Sequence, residues 1–167
     1  MSDKLPLMLL DGCLSCDILA GKVAPPGGIV YENACWIVVL RARPLRFPCY
    51  PFIVLKRHCE HVQALRDDEV ATLGSTMRLT AQVLATTIQP AKVHFGLYAE
   101  GVKHIHVHVF PRMPFMPPGN IPNIWIDQWC EVLGRVGLKK YYDDETVAKA
   151  AAQLRAAYQQ MALASAR

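Results

Sequence analysis

The sequence predicts an α+β domain: an antiparallel β-sheet with a long helix packed on it, followed by C-terminal helices. Three observations carry that expectation. Short apolar, β-branched runs come as neighbouring pairs at 29–41 and 92–111, each pair joined by a tight turn. A single long stretch of helical periodicity lies between the pairs. A second helical stretch, rich in Ala, closes the chain. At 167 residues and 52% hydrophobic composition, the chain is long enough for one unit that buries most of its unfolded surface.

The elements follow in order. Ile29–Glu32 and Cys35–Arg41 read as strands joined by Asn33-Ala34, and Tyr50–Lys56 as a third strand. Asp67-Asp68-Glu69 places acid at a helix start, where the macrodipole favours it. Val70, Leu73, Met77, Thr80, Val83, Leu84 and Ile88 then recur at helical spacing until Pro90 stops them. Lys92–Ala99 and Lys103–Pro111 form two more strands around Glu100-Gly101. Residues 113–122 are too rich in proline for a helix or a central strand. Ile124–Val136 is a predicted helix with Trp125, Trp129 and Leu133 on one face. A last helix runs from Asp143-Asp144-Glu145 to about Ala164, ordered by Val147, Leu154, Tyr158 and Met161.

The chemistry concentrates in His104-Ile105-His106-Val107-His108. Alternation with β-branched residues predicts a strand that sends Ile105, Val107 and Val109 to the core and all three imidazoles to the other face. Adjacent imidazoles would then stand about 6.6 Å apart, and the outer two about 13 Å apart. Zn–N bonds of about 2.0–2.1 Å argue against one ion holding all three. The competing use is nucleophilic, with imidazole attacking an electrophile and holding the covalent intermediate.

Charge and cysteine content narrow the classes. A net charge of +4 without a long basic tract does not indicate nucleic acid, but suits a small anionic ligand. Leu5–Leu10 is short, interrupted by Pro6 and closed by Asp11, unlike a signal peptide, and nothing later has the length of a membrane span. A cytoplasmic setting is expected, and the six cysteines read as thiols. Cys13 and Cys16 have the spacing of a metal-binding or a redox pair. Cys35, Cys49, Cys59 and Cys130 read as packing residues.

The run Val102-Lys103-His104-Ile105-His106-Val107-His108-Val109-Phe110-Pro111-Arg112 resembles the signature of the histidine-triad superfamily of nucleotide hydrolases and transferases. Cys13–Lys22, Ile29–Asn33 and Pro51–His58 resemble its opening, first-strand and Lys-Arg-His segments. The resemblance implies a domain at 11–113, with 114–167 as a loop and helical extension packed on it. It also implies a homodimer, no membrane, and a nucleotide or dinucleotide substrate cleaved at the α-phosphate. His106 would be the nucleophile, His108 would support the phosphate and developing charge, and His104 would fix the arrangement. Ile18, Leu40, Arg41 and Gly101 would join His106 and His108 at the nucleotide. Some members hold structural zinc at positions matching Cys13, Cys16, His58 and His104, a Cys2His2 set.

The chain also departs from the pattern. Ala99-Glu100-Gly101 replaces a Gly-Gln and hydroxyl-bearing stretch, and Arg41, Arg43 and Arg46 stand where a ribose-binding Asp is usual. Tyr50 replaces a further active-site histidine. Lys103 and Pro111-Arg112 lean towards dinucleoside polyphosphate hydrolysis rather than nucleoside phosphoramidate hydrolysis. The alternative is a zinc-stabilised nucleotide-binding module with little turnover; a redox role for Cys13 and Cys16 is a third, weaker reading.

Overall fold

In the computed structural model, the structure describes residues 9–42, 44, 47–116, 130, 132–134 and 136–165. A short helix α1 (Leu14–Leu19) precedes β1 (Ile29–Glu32), β2 (Trp36–Leu40) and β3 (Pro51–Leu55). A 3-10 turn at Val62–Ala64 leads into α2 (Asp67–Thr87), then β4 (Lys92–Leu97), β5 (His106–Arg112) and α3 (Asp144–Ser165). The five strands form one antiparallel sheet in the order β1-β2-β3-β5-β4. The expected α+β architecture is what the chain adopts. The predicted helix at 124–136 falls mainly outside the described residues; Cys130 and Val132–Gly134 within it are helical.

The two faces of the sheet carry different jobs. Trp36, Val38, Leu40, Ile53, Leu55, Ile105, Val107 and Val109 join Val83 and Leu84 of α2 and Val147, Ala151 and Leu154 of α3 in the main core. On the opposite face Ile37, Val39 and Val54 pack against Ile18 and Leu19 of α1 and against Phe52. β2 is therefore buried at all five positions, covered from both sides. α3 lies on the core: Tyr158 stacks on Tyr31 with ring centroids 4.7 Å apart. It approaches so closely at Gly27 that a Cβ there would stand 2.4 Å from the Ala151 Cβ.

Polar anchors fix the junctions that hydrophobic patterning does not specify. The Asn33 side chain accepts the N–H groups of Cys35 and Trp36 at 3.0 and 2.8 Å, which closes the β1–β2 turn. It also donates to Thr76 at 2.8 Å. Trp36 Nε1 donates to the Glu69 carbonyl, and the Tyr158 hydroxyl donates to Thr80 at 2.7 Å. The buried stripe of α2 is Glu69, Thr76, Thr80, Val83 and Leu84. Val70, expected on that stripe, is 56% exposed. Its neighbour Glu69 takes the inward place because Arg57 meets the carboxylate at 2.7 and 2.8 Å, and a buried charge so paired is tolerated.

Candidate active site and metal centre

β5 starts at His106, later than expected, so the three histidines do not form one straight row. His104 lies in the bend before the strand and is completely buried. Its Nε2–H donates to the Leu55 carbonyl at 2.7 Å. Nδ1 is thereby left as a lone pair, 3.5 Å from Cys13 Sγ and 3.4 Å from Cys16 Sγ. His58 repeats the arrangement: Nδ1 is 3.3 Å from Cys16 Sγ, while Nε2 is 3.4 Å from a Glu60 carboxylate oxygen.

Donor atoms of Cys13, Cys16, His58 and His104 all lie within 4.8 Å of one another. The sulfur-to-nitrogen separations match the roughly 3.6 Å edge that a zinc tetrahedron with Zn–S of 2.3 Å and Zn–N of 2.0–2.1 Å requires. Both outer imidazole nitrogens are held by oxygen acceptors, as metal-bound histidines usually are. Burial holds the Cys16 thiol above its usual pKa, and burial lowers His104 to about 4, which keeps that ring neutral. The donor set suits a metal ion by chemistry and by distance.

His106 and His108 remain on the strand, opposite Val54 and Phe52 of β3. His106 Nδ1 is 2.8 Å from the His104 carbonyl and donates to it. That hydrogen bond leaves His106 Nε2 carrying the lone pair. His108 Nε2 sits 3.1 Å from that atom. Burial first, then the nearby His106 and Arg41, lowers His108 to about 4, so it is a neutral ring at neutral pH. Phe52 stands edge-on to both imidazoles, at centroid distances of 5.5 and 4.8 Å. Tyr98 stands 5.4 Å from His108, its ring folded over Gly96, where a Cβ would lie 2.5 Å from it.

The other expected site residues are spread around this centre. Arg41 lies over the Tyr50 ring, its guanidinium carbon 5.6 Å from the centroid, close enough to act on His108. Ile18 packs on the imidazole-bearing face of the sheet. Gly101 lines a cleft with Cys13, His58, Glu60, Lys103 and His104, beside the thiol cluster. Leu40 points the other way: its side chain is 1% exposed in the main core, so only its backbone is left to face a ligand. Glu100 is exposed, as a solvated turn residue would be. Arg43 and Arg46 lie outside the described residues. Cys35, Cys49, Cys59 and Cys130 are buried free thiols, in keeping with a packing role.

The sequence did not mark Phe52, Tyr98 or Glu60 for the site. Phe52 owes its place to the β3–β5 pairing, and Glu60 to the turn that brings His58 to the thiols.

A family model described as the HIT domain matches residues 24–115, more than half of the chain. The chain belongs to the HIT domain family. An uncharacterised HIT-like protein of Methanocaldococcus jannaschii is 25% identical over 130 residues, covering 70% of this chain and 94% of its own length. Among solved structures, a zinc-bound histidine triad family protein of Mycobacterium smegmatis aligns with TM-score 0.67 at 19% identity, over 92% of this chain and 97% of that one. A hypothetical histidine triad nucleotide-binding protein of Sulfolobus tokodaii aligns with TM-score 0.65 at 16% identity, over 89% and 93%. These two structures share the fold. Membership of the HIT family supports a function of the nucleotide hydrolase or transferase type. No helix among the described residues is long and apolar enough to cross a membrane.

Proposed function

We propose that this HIT protein cleaves a nucleotide phosphoanhydride or phosphoramidate at the α-phosphate through a covalent nucleotidyl-His106. The observation that carries the proposal is the 2.8 Å hydrogen bond from His106 Nδ1 to the His104 carbonyl. It fixes the tautomer in which Nε2 carries the lone pair, with no general base needed to create the nucleophile. The Nε2 pair forms a bond to the α-phosphorus, and the bond from phosphorus to the leaving group breaks with its electrons on the departing atom. The positive charge left on His106 is shared through Nδ1–H with the His104 carbonyl. Water then bonds to phosphorus and sheds a proton to solvent. The P–N pair returns to Nε2, and a mononucleotide is released. His108 stabilises the oxygen charge that develops beside it. Ile18, the Leu40 backbone, Arg41 and Gly101 complete the nucleotide site.

Cys13, Cys16, His58 and His104 would hold zinc, which when bound supplies a structural cross-link between α1, the end of β3 and the segment before β5. The family fold on residues 11–113 is the working unit in this reading, with α3 of the 114–167 extension packed on it, and the setting is cytoplasmic. A homodimer is part of the same proposal, since β4 is an edge strand of the sheet; a monomer mass by light scattering would refute that part.

The test is covalent capture. Rapid quenching with a nucleoside phosphoramidate or a dinucleoside polyphosphate is expected to add one nucleoside monophosphate to the protein mass, and His106→Ala to abolish the adduct. Nucleotide binding with neither adduct nor turnover in the wild type would favour the zinc-stabilised binding module instead.

A further inference from the structure

Three aromatic rings meet His108 nearly at right angles: Phe52, Tyr98 and Tyr50, with centroids 4.8, 5.4 and 6.1 Å away. Tyr50 does more than pack. Its hydroxyl oxygen lies 3.3 Å from His108 Nδ1.

The protons along this line are constrained by one another. His106 commits Nδ1–H to the His104 carbonyl, so as a neutral ring it has only a lone pair on Nε2. That lone pair faces His108 Nε2 at 3.1 Å. Two lone pairs at this distance repel, so the hydrogen sits on His108 Nε2. A neutral imidazole carries one N–H, which makes His108 Nδ1 an acceptor, and the Tyr50 O–H is placed to donate to it. The Arg41 guanidinium over the phenol ring draws electron density from it and strengthens that donor.

We infer that Tyr50 is a positioning residue that locks His108 as an Nε2–H donor, ready to transfer its hydrogen bond from His106 to the departing atom of the substrate. The inference rests on the nucleotidyl-histidine reading. When His106 Nε2 bonds to phosphorus its lone pair is consumed, and the His108 N–H is freed just as charge gathers on the leaving atom. No proton need be transferred; a hydrogen bond strengthens where the charge appears.

Tyr50→Phe keeps the ring within the cluster formed with Phe110 and Met116 and removes only the hydroxyl. The experiment compares the phenyl and p-nitrophenyl esters of one nucleoside 5′-monophosphate, which are alike in size but differ in how much charge the departing oxygen must carry. Tyr50→Phe is expected to slow kcat for the phenyl ester by roughly 10- to 100-fold, the worth of a hydrogen bond to a charged group. The p-nitrophenyl ester should slow by several-fold less, with KM unchanged for both. In the free protein, nitrogen NMR of the histidine rings should show His108 as the single Nε2–H tautomer, and as a mixture in Tyr50→Phe. Equal slowing of the two esters, or an unchanged His108 tautomer in the variant, would overturn the inference while leaving the His106 adduct intact. Full turnover in His106→Ala would instead overturn the parent reading, and the tautomer measurement would still decide the part played by Tyr50.

Discussion

Cutting Cys16 out of the thiol–imidazole cluster is expected to cost the fold far more than it costs nucleotide binding. Cys16 is 1% exposed and reaches two partners distant in sequence, His58 at a separation of 42 residues and His104 at 88. A metal there acts as a cross-link, and closing a loop of that length in the unfolded chain is worth about 4 kcal/mol by the chain-entropy estimate. The two loops share a ligand, so their effects overlap rather than add. In a chain of this size each kcal/mol moves the melting temperature by about 2–4 °C, so Cys16→Ser should melt about 8–16 °C below the wild type. A strong chelator applied to the wild type should produce a similar fall, reversed by added zinc. The assay is calorimetric melting beside elemental analysis, with mononucleotide affinity measured by titration. A shift under about 2 °C in a protein shown to carry one zinc per chain would refute the cross-link argument; finding no metal at all would refute the assignment.

Other consequences are equally specific. Glu69→Ala leaves Arg57 with the Ala64 carbonyl but without its carboxylate partner, and should cost about 3–5 kcal/mol in denaturant unfolding; a loss under about 1 kcal/mol would contradict the buried-pair reading. Because Arg57 holds the Glu69 carboxyl below its usual range, that stability is present above the unfolded carboxylate pKa and is lost as pH falls through the folded one. His108 titrates in the folded chain at about 4, below its ordinary value of about 6.5, so its contribution is complete above that value and fades as pH drops towards the folded one. His108→Gln should flatten the stability profile over this window, and an unchanged slope would count against burial as the cause. Gly96→Ala should push the Tyr98 ring off His108 and raise KM by roughly fivefold, the scale of one aromatic contact. In a Tyr98→Ala background the same change should do little, and equal effects in both backgrounds would show that Tyr98 is not the mediator.

Local patterning made most of the fold legible. The period-two runs gave β1 at its observed bounds, and the alternation of Ile105, Val107 and Val109 with histidine assigned the core face of β5 correctly. The acid cluster in the first turn of α2 and the apolar spacing of α3 located both helices. What escaped depended on partners far along the chain. Val70 looked like a core residue until Arg57 drew Glu69 inward, and Thr76 of α2 is buried where Asn33 donates to its hydroxyl. Spacing brought Cys13 and Cys16 to notice and the family resemblance added His58 and His104, yet a straight strand could not foretell that His104 turns aside to join them. The aromatic surround of His108 needed the pairing of β3 and β4 with β5, which no single segment specifies.

His104 does two unrelated things with one residue: its ring completes the thiol cluster, and its carbonyl oxygen receives the Nδ1–H of the next histidine along. On the proposed reading, mechanical anchorage of the N-terminal helix and chemical readiness of His106 therefore share a hinge. Loosening the anchor would let that oxygen drift and the neighbouring ring spin, so oxidation of Cys13 or Cys16 would blunt phosphorus chemistry in a molecule that still holds its ligand.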